Sequence, residues 1–324
     1  MRTRLATFAL ALHASLCLFA APAAAQYPER PIRIVVPYAP GGSTDIAARL
    51  VAEGLGKTLG GTVIVQNQPG ASGNIGAAAV ARSAADGYTL LLVGSGIASA
   101  PSMKEVTYDL RKDLTPISRV VSSQFSILVN PSLNISTLQE FLAYARANPS
   151  SLSMACPGML TAAHFALESF RQAARLEFQT IQFNGNAPAA LAMMSGQPPA
   201  GIDAALSAKG AVTSGRLRAL AVTGSKRSSS LPGVPTVAES GIPGFEAGFS
   251  LVMFAPSATP RAIVNRVHQA LVTTLKDPAM VQRLDAQGFD VVGNSPSEFA
   301  AELENDIKAN EVFISNLRKS GVIQ

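Results

Sequence analysis

Histidine and cysteine are scarce in these 324 residues, with three and two respectively, and both scarcities bound the chemistry. At the amino terminus Arg2 and Arg4 precede an apolar run, and Ala23-Ala24-Ala25 precedes Gln26. This is the pattern of a secretory leader, with an apolar core too short to span a bilayer and cleavage expected after Ala25. Leu16, not a small residue, precedes Cys17, which argues against lipid attachment, so a free periplasmic protein is expected. Beyond the leader only Cys156 remains, so an intramolecular disulfide is excluded even in an oxidising compartment and the fold must stand on its core. A hydrolase would need a nucleophile, a base and an orienting acid, yet only His164 and His268 remain and no G-x-S-x-G elbow occurs. Cys156 and Met159 lack the histidine cluster of a metal site. No catalytic residue, cofactor or metal is expected. Charge is scarce too: without Arg2 and Arg4 the formal net charge falls from +5 to +3, too little for the clustered basic face of a nucleic-acid binder. No second long apolar run follows the leader, and the remaining 299 residues suffice for two lobes.

What is present is organised around residues 32–50, IRIVVPYAPGGSTDIAARL. Ile32, Ile34, Val35 and Val36 read as a buried strand ending at Pro37. Ala47, Leu50, Val51, Gly54 and Leu55 then make the apolar stripe of a helix starting near Ser43. The first backbone N–H groups of a helix lack internal partners and sit at the positive end of its dipole, so a Gly-Gly approach admits a ligand anion. A plain turn between strand and helix is the simpler alternative. Asp45 competes with an anion for that end; it either caps the helix or accepts hydrogen bonds that fix the loop.

Residues 62–65 form a second β-rich run, followed by a small-residue helix expected over 75–85. Gly70, Gly73 and Gly76 follow G-x-x-G-x-x-G, which misses the dinucleotide fingerprint G-x-G-x-x-G. Residues 88–93 make a third strand, ending at Gly94-Ser95-Gly96, and ligands of open α/β sheets bind at such strand ends. Residues 117–129 suit a strand leaving the first lobe. Ser136 and Gln139 suggest a capping box, and Thr161 caps a helix after the strand 151–156. Strand 178–183, helix 187–194, the short segment Ile202-Asp203, strand 217–222 and the loop 228–244 follow. Strand 249–255 can return the chain to the first lobe. Thr259-Pro260, Asp277-Pro278 and Ser295-Pro296-Ser297-Glu298 open three packing helices.

The stretches VPYAPGGSTDIAARL, QNQPGASGNIGAAAVARSAADGYTLLL, LRALAVTGSKRSSSLPGVPTVAESGIPGFE and FAPSATP, spread over the whole mature chain, resemble the Bug-type solute receptors of tripartite tricarboxylate transporters. The resemblance implies a hinged, two-lobe α/β periplasmic binding protein of type II-like form, each lobe an α/β sandwich around a central mixed sheet. Lobe 1 is expected over 26–125 plus 246–324 and lobe 2 over 126–245. It further implies a monomer that binds a small organic acid and delivers it to membrane permease subunits; a sensor docking on a signalling receptor is the alternative. A carboxylate would sit against Tyr38, Ala39, Gly41, Gly42, Ser43 and Asp45 and the turn with Gly70, Ser72 and Gly73, with Ser95 nearby. Cys156, Pro157, Thr161, His164, Phe183, Asn184 and Asp203 would face it from lobe 2; for His164 a structural role is the equal alternative. The chain departs from the family at residues 154–160 and 183–185, where Met, Cys, Leu, Phe and Asn replace hydroxyls and a lysine. A monocarboxylate with a less polar distal end is therefore expected.

Overall fold

The computed structural model describes residues 27–103, 106–149 and 151–319; the leader, with Cys17 and the expected cleavage site, lies outside them. In chain order the elements that position the site are β1 (Ile32–Val36), α1 (Ser43–Leu59), β2 (Val63–Asn67), α2 (Asn74–Ala81), β3 (Thr89–Gly94), α3 (Leu110–Asp113) and β4 (Leu114–Val129). Next come α4 (Leu138–Ala147), β5 (Ser153–Cys156), α5 (Ala162–Ala174), β6 (Gln179–Gln182), α6 (Asn186–Ser195), β7 (Ala200–Ala204), α7 (Ala205–Thr213) and β8 (Arg218–Val222). The chain closes with β9 (Gly248–Pro256), α8 (Arg261–Lys276), α9 (Pro278–Asp285), β10 (Asp290–Val291) and α10 (Pro296–Lys319).

Two halves share β4. In the first, β1 lies parallel to both β2 and β3, while β9 runs antiparallel to β3 and β4. The strands are apolar on both faces, so each face needs a helical cover. Ile34, Val36 and Leu92 pack with Val51, Leu55, Val267 and Leu271 of α1 and α8, whereas Val35, Leu91 and Phe254 pack with Val80 and with Phe299 and Ile307 of α2 and α10. In the second half β5 lies parallel to β6 and β7, and β4 pairs antiparallel with β7 and β8. Phe141 of α4 and Phe170 of α5 cover one face; Ala189 and Met193 of α6 and Ala208 of α7 cover the other.

The crossing between halves is narrow. Up to Gln124, β4 pairs with β9; from Phe125 it pairs with β7. Fully buried Thr223 ties the crossing strands together: its Oγ accepts from Phe125 N at 2.9 Å and donates to Ala247 O at 2.6 Å, and Gly224 N donates to Gln124 Oε1 at 3.0 Å.

Several expectations shift by a few residues, each for a local reason. Helix α2 stops at Ala81, where the Ser83 hydroxyl folds back on Val80 O at 2.8 Å. The capping box is Thr137 with Glu140, not Ser136 with Gln139: burying Leu138 as the first helical residue makes Thr137 the cap. Pro260, in extended backbone, takes the cap position expected of Thr259, so α8 starts at Arg261. Ile202-Asp203 belongs to a full, wholly buried strand between β4 and β5, and α7 directly after it was not anticipated, since ALSAKGAVT has no strong apolar stripe.

Candidate ligand-binding site

The loops that follow β1, β2 and β3 in the first half face those that follow β5, β6 and β7 in the second. After β1, Tyr38 turns inward and its hydroxyl accepts from Gly94 N at 3.3 Å; a side chain on Gly73 would meet that same hydroxyl at 3.2 Å, so strand end, loop and glycine turn are packed as one unit. Ala39 and Gly42 are exposed, and Gly41 adopts φ 85°, a conformation that favours glycine. No side chain caps α1, whose cap residue is Gly42, so the N–H groups at Ser43 and beyond remain available. Asp45 does not take them. Its carboxylate accepts from Gly41 N and from Asn67 Nδ2, each at 2.9 Å, and from Arg49 through two bonds of 3.0 Å. Burial would raise its pKa, but Arg49, Gly41 and Asn67 together hold it below the usual carboxylate value. Asp45 is thus a charge-neutralised brace for the loop. At the neighbouring turn Gly70, Ala71, Ser72 and Gly73 all take positive φ (140°, 46°, 54°, 99°), and Gly73 N donates back to Gly70 O at 3.0 Å. Ser95 Oγ accepts from Ser250 N at 3.1 Å and so lies at the root of the cleft.

In the second half, Cys156 and Met154 are completely buried in the core under α5, and burial pushes the Cys156 thiol up to about 12. Cys156, expected to face the ligand, is therefore core together with Met154, and Met159, half exposed, sits at the rim. Alternation along β5 is the reason: Met154 and Cys156 share the face toward α5. Pro157 is buried, and its carbonyl accepts from Gly185 N at 2.9 Å, joining the β5 and β6 loops. Thr161 caps α5, with its Oγ 3.4 Å from His164 N and 2.8 Å from Gly158 O. His164 is buried, at 1% exposure. Its Nδ1 accepts from Leu160 N at 3.1 Å, holding a non-glycine residue at φ 55°, and burial lowers its pKa to about 4. Phe183 packs beside α6, whereas Asn184 is exposed. Asp203 is 1% exposed at the end of β7; its Oδ1 accepts from Ala204 N at 2.7 Å and from Asn186 Nδ2.

The loops touch across the cleft. Ser43 Oγ lies 3.1 Å from Ser207 Oγ, Ser72 Oγ donates to Met159 O at 3.4 Å, and buried Ser99 Oγ is 3.2 Å from Leu160 O. A Cβ on Gly96 would come within 2.9 Å of Ala162 N, which shows how closely the halves approach. Arg49, Asn67, Ser99, Asn186 and Ser207 were not singled out from sequence; of these, Asn67 and Asn186, which end β2 and open α6, carried a readable signal by position. A cavity of about 750 Å³ lies instead at the hinge, lined by Ser95, Arg119, Gln124, Phe165 and Lys226 among others. Its cations are matched within the protein, Arg119 to Glu302 and Asp306 and Lys226 to Asp290. Among the described residues no cluster of three or more His, Cys, Asp or Glu could hold a metal ion, and no helix is long and apolar enough to cross a membrane.

Two α/β lobes on a shared strand, with strand-end loops and helix N-termini meeting in the cleft between them, define a solute-binding receptor. Residues 47–318 match the family described as tripartite tricarboxylate transporter family receptor, and the chain belongs to that family. Protein BugT of Bordetella pertussis is 36% identical over 293 residues, 89% of this chain and 90% of that one. The solved structure of periplasmic binding protein BugD is 35% identical with a TM-score of 0.81, covering 91% of this chain and 99% of that one. A protein of R. palustris solved with adipate is 29% identical with a TM-score of 0.83, covering 91% and 98%. This chain is a solute-binding receptor of that family.

Proposed function

We propose that this receptor holds the carboxylate of a small organic acid against the loop 38–45 and the turn 70–73. The halves 26–125 plus 246–324 and 126–245 close on it as hinged lobes, and membrane permease subunits of a tripartite tricarboxylate transporter receive it. The protein works as an exported monomer cleaved after Ala25, without turning its ligand over. The observation that supports the reading most is the free N-terminus of α1, whose nearby acid is already paired with Arg49. A carboxylate there meets partial positive charge without an uncompensated neighbour. A dissociation constant near 1 μM corresponds to about 8 kcal/mol, and charge-assisted hydrogen bonds of roughly 1.5–3 kcal/mol each supply much of that.

A thermal-shift and calorimetric screen of mono-, di- and tricarboxylates tests it. At least one acid should raise the melting temperature and be recovered unchanged after prolonged incubation. Stabilisation by uncharged solutes alone would overturn the reading, and chemical conversion of the ligand would overturn the absence of catalysis. Sequencing of the periplasmic protein should begin at Gln26; an intact leader found in the inner membrane would reject the cleavage.

A further inference from the structure

The two lobes of the cleft differ in charge, and the difference bears on the far end of the ligand. In lobe 1 the acid beside the free helix end, Asp45, is matched by Arg49 and by N–H groups on both carboxylate oxygens. In lobe 2 the corresponding acid is Asp203. It is the last but one residue of β7, near two helix N-termini that no side chain caps, those of α6 at Gly185 and of α7 at Ala204. Among the described residues no cation pairs with it. Both of its N–H donors, Asn186 Nδ2 and Ala204 N, go to Oδ1, while Oδ2 is buried and has no hydrogen-bond partner.

Asp203 is also at the meeting of the lobes. Four residues on, Ser207 of α7 touches Ser43, the first residue of the anion-binding helix, at 3.1 Å. Alternation along β7 sends Ile202 and Ala204 into the core beneath α5, so Asp203 lies on the opposite face with α6 and α7. The positive ends of α6 and α7 are thus already answered by a fixed carboxylate, in contrast to the end of α1. A buried acceptor that lacks a donor is costly, and a second anion placed here would meet like charge once Asp203 has lost its proton.

Resting on the carboxylate reading above, we infer that Asp203 Oδ2 is the receptor's second recognition point: it accepts a hydrogen bond from an ammonium or hydroxyl group at the ligand's far end. The ligand class is then an amino- or hydroxy-carboxylic acid, with its carboxylate on lobe 1 and its donor on lobe 2. Burial, which pushes Asp203 up to about 7 against the lowering effect of Asn186 and Ala204, agrees with an acid left without enough donors in the empty protein. An ammonium ligand would complete the set and draw off the proton.

Calorimetric titration of the full mature protein at pH 7 decides it, using unbranched acids of three to six carbons whose far end is a methyl, hydroxyl, ammonium or carboxylate group. The expectation at the best chain length is tighter binding of the hydroxyl- or ammonium-ended acid than of the methyl-ended one, by roughly 10- to 100-fold. The ammonium acid should release protons, measured as a dependence of the heat on buffer ionisation enthalpy; the hydroxyl acid need not. Asp203→Asn puts an amide donor where the free acceptor stood, so it should erase the preference and favour the dicarboxylate. If the methyl-ended acids bind as well as the others, or the dicarboxylate binds best at every length, Oδ2 is served by water only and the inference fails while the receptor reading stands. If no carboxylate of any kind binds, the receptor reading itself fails. The wild-type comparison stands alone should Asp203→Asn not fold, and a folded Asp203→Asn that keeps the wild-type preference overturns the assignment.

Discussion

Arg49, Asp203 and His164, three ionisable side chains of the elements that border the cleft, each make a separate prediction. Arg49 keeps Asp45 from opposing an anion at α1, yet it is itself more than half exposed, where solvent screening leaves an ion pair little effect on stability. Arg49→Ala should therefore leave the urea midpoint nearly unchanged while weakening carboxylate binding, roughly two- to fivefold and more at low salt. Unchanged affinity in calorimetry would remove Arg49 from the site. Burial acts on Asp203 and His164 in opposite directions. Asp203 titrates near 7 when folded against 3.8 ordinarily, so between those values the folded state keeps a proton that the unfolded chain has lost, and stability falls as pH rises. His164 titrates near 4 against 6.5, so in that window the unfolded chain takes a proton that the folded state refuses, and stability falls as pH drops. The ceilings are about 4 and about 3 kcal/mol, and they oppose each other over most of the range. Urea unfolding of the empty wild type should therefore vary little between about pH 4.5 and 6.5, on the scale of these two residues. Asp203→Asn should show stability rising over that interval and His164→Gln should show it falling; parallel profiles for all three would contradict the assignments.

At the scale of elements, the hinge depends on few bonds. Thr223 is fully buried and bonds to both crossing strands. Thr223→Val keeps its shape but leaves Phe125 N and Ala247 O without their partner, a loss of about 1–3 kcal/mol. A urea midpoint equal to wild type would show that these groups find other partners. The elements were legible in the sequence where a local rule decides them. The strand-glycine-helix unit at 32–59 follows from β-branched residues, two glycines and an apolar stripe, and Thr161 and Ser295 cap as their spacing suggests. Legibility failed where a neighbour decides. β7 is wholly buried because β4 and β5 flank it, and five residues containing Gly201 and Asp203 hold too little strand preference to announce that. The register of α4 is fixed by burial of Leu138, Phe141 and Leu142, which chose Thr137 over Ser136 as the cap.

For the whole molecule, closure is the property to test. The lobes touch through Ser43–Ser207, Ser72–Met159 and Ser99–Leu160, bonds that each contribute about 0.5–1.5 kcal/mol at most. They are too weak to order the hinge without help. Small-angle scattering should give a larger radius of gyration for the ligand-free protein than for the protein saturated with its acid. Ligand at about 100 times its dissociation constant should add about 2.7 kcal/mol of stability, a rise of a few degrees in melting temperature for a chain of this size. An identical radius in both states would reject closure around the ligand.

By itself the sequence determined the layered α/β character, a length sufficient for two lobes and the strand-glycine-helix unit around Gly41-Gly42, because these rest on chain length and local conformation. Only the tertiary structure decided which side chains meet. It turned Met154 and Cys156 into core because strand alternation points them at α5, and it spent His164 on the backbone of Leu160. It also paired Asp45 with Arg49 and Asn67 while leaving Asp203 Oδ2 without a donor. Those outcomes depend on contacts between residues far apart in the chain, and the sidedness of a short buried strand cannot be read until its neighbours are in place.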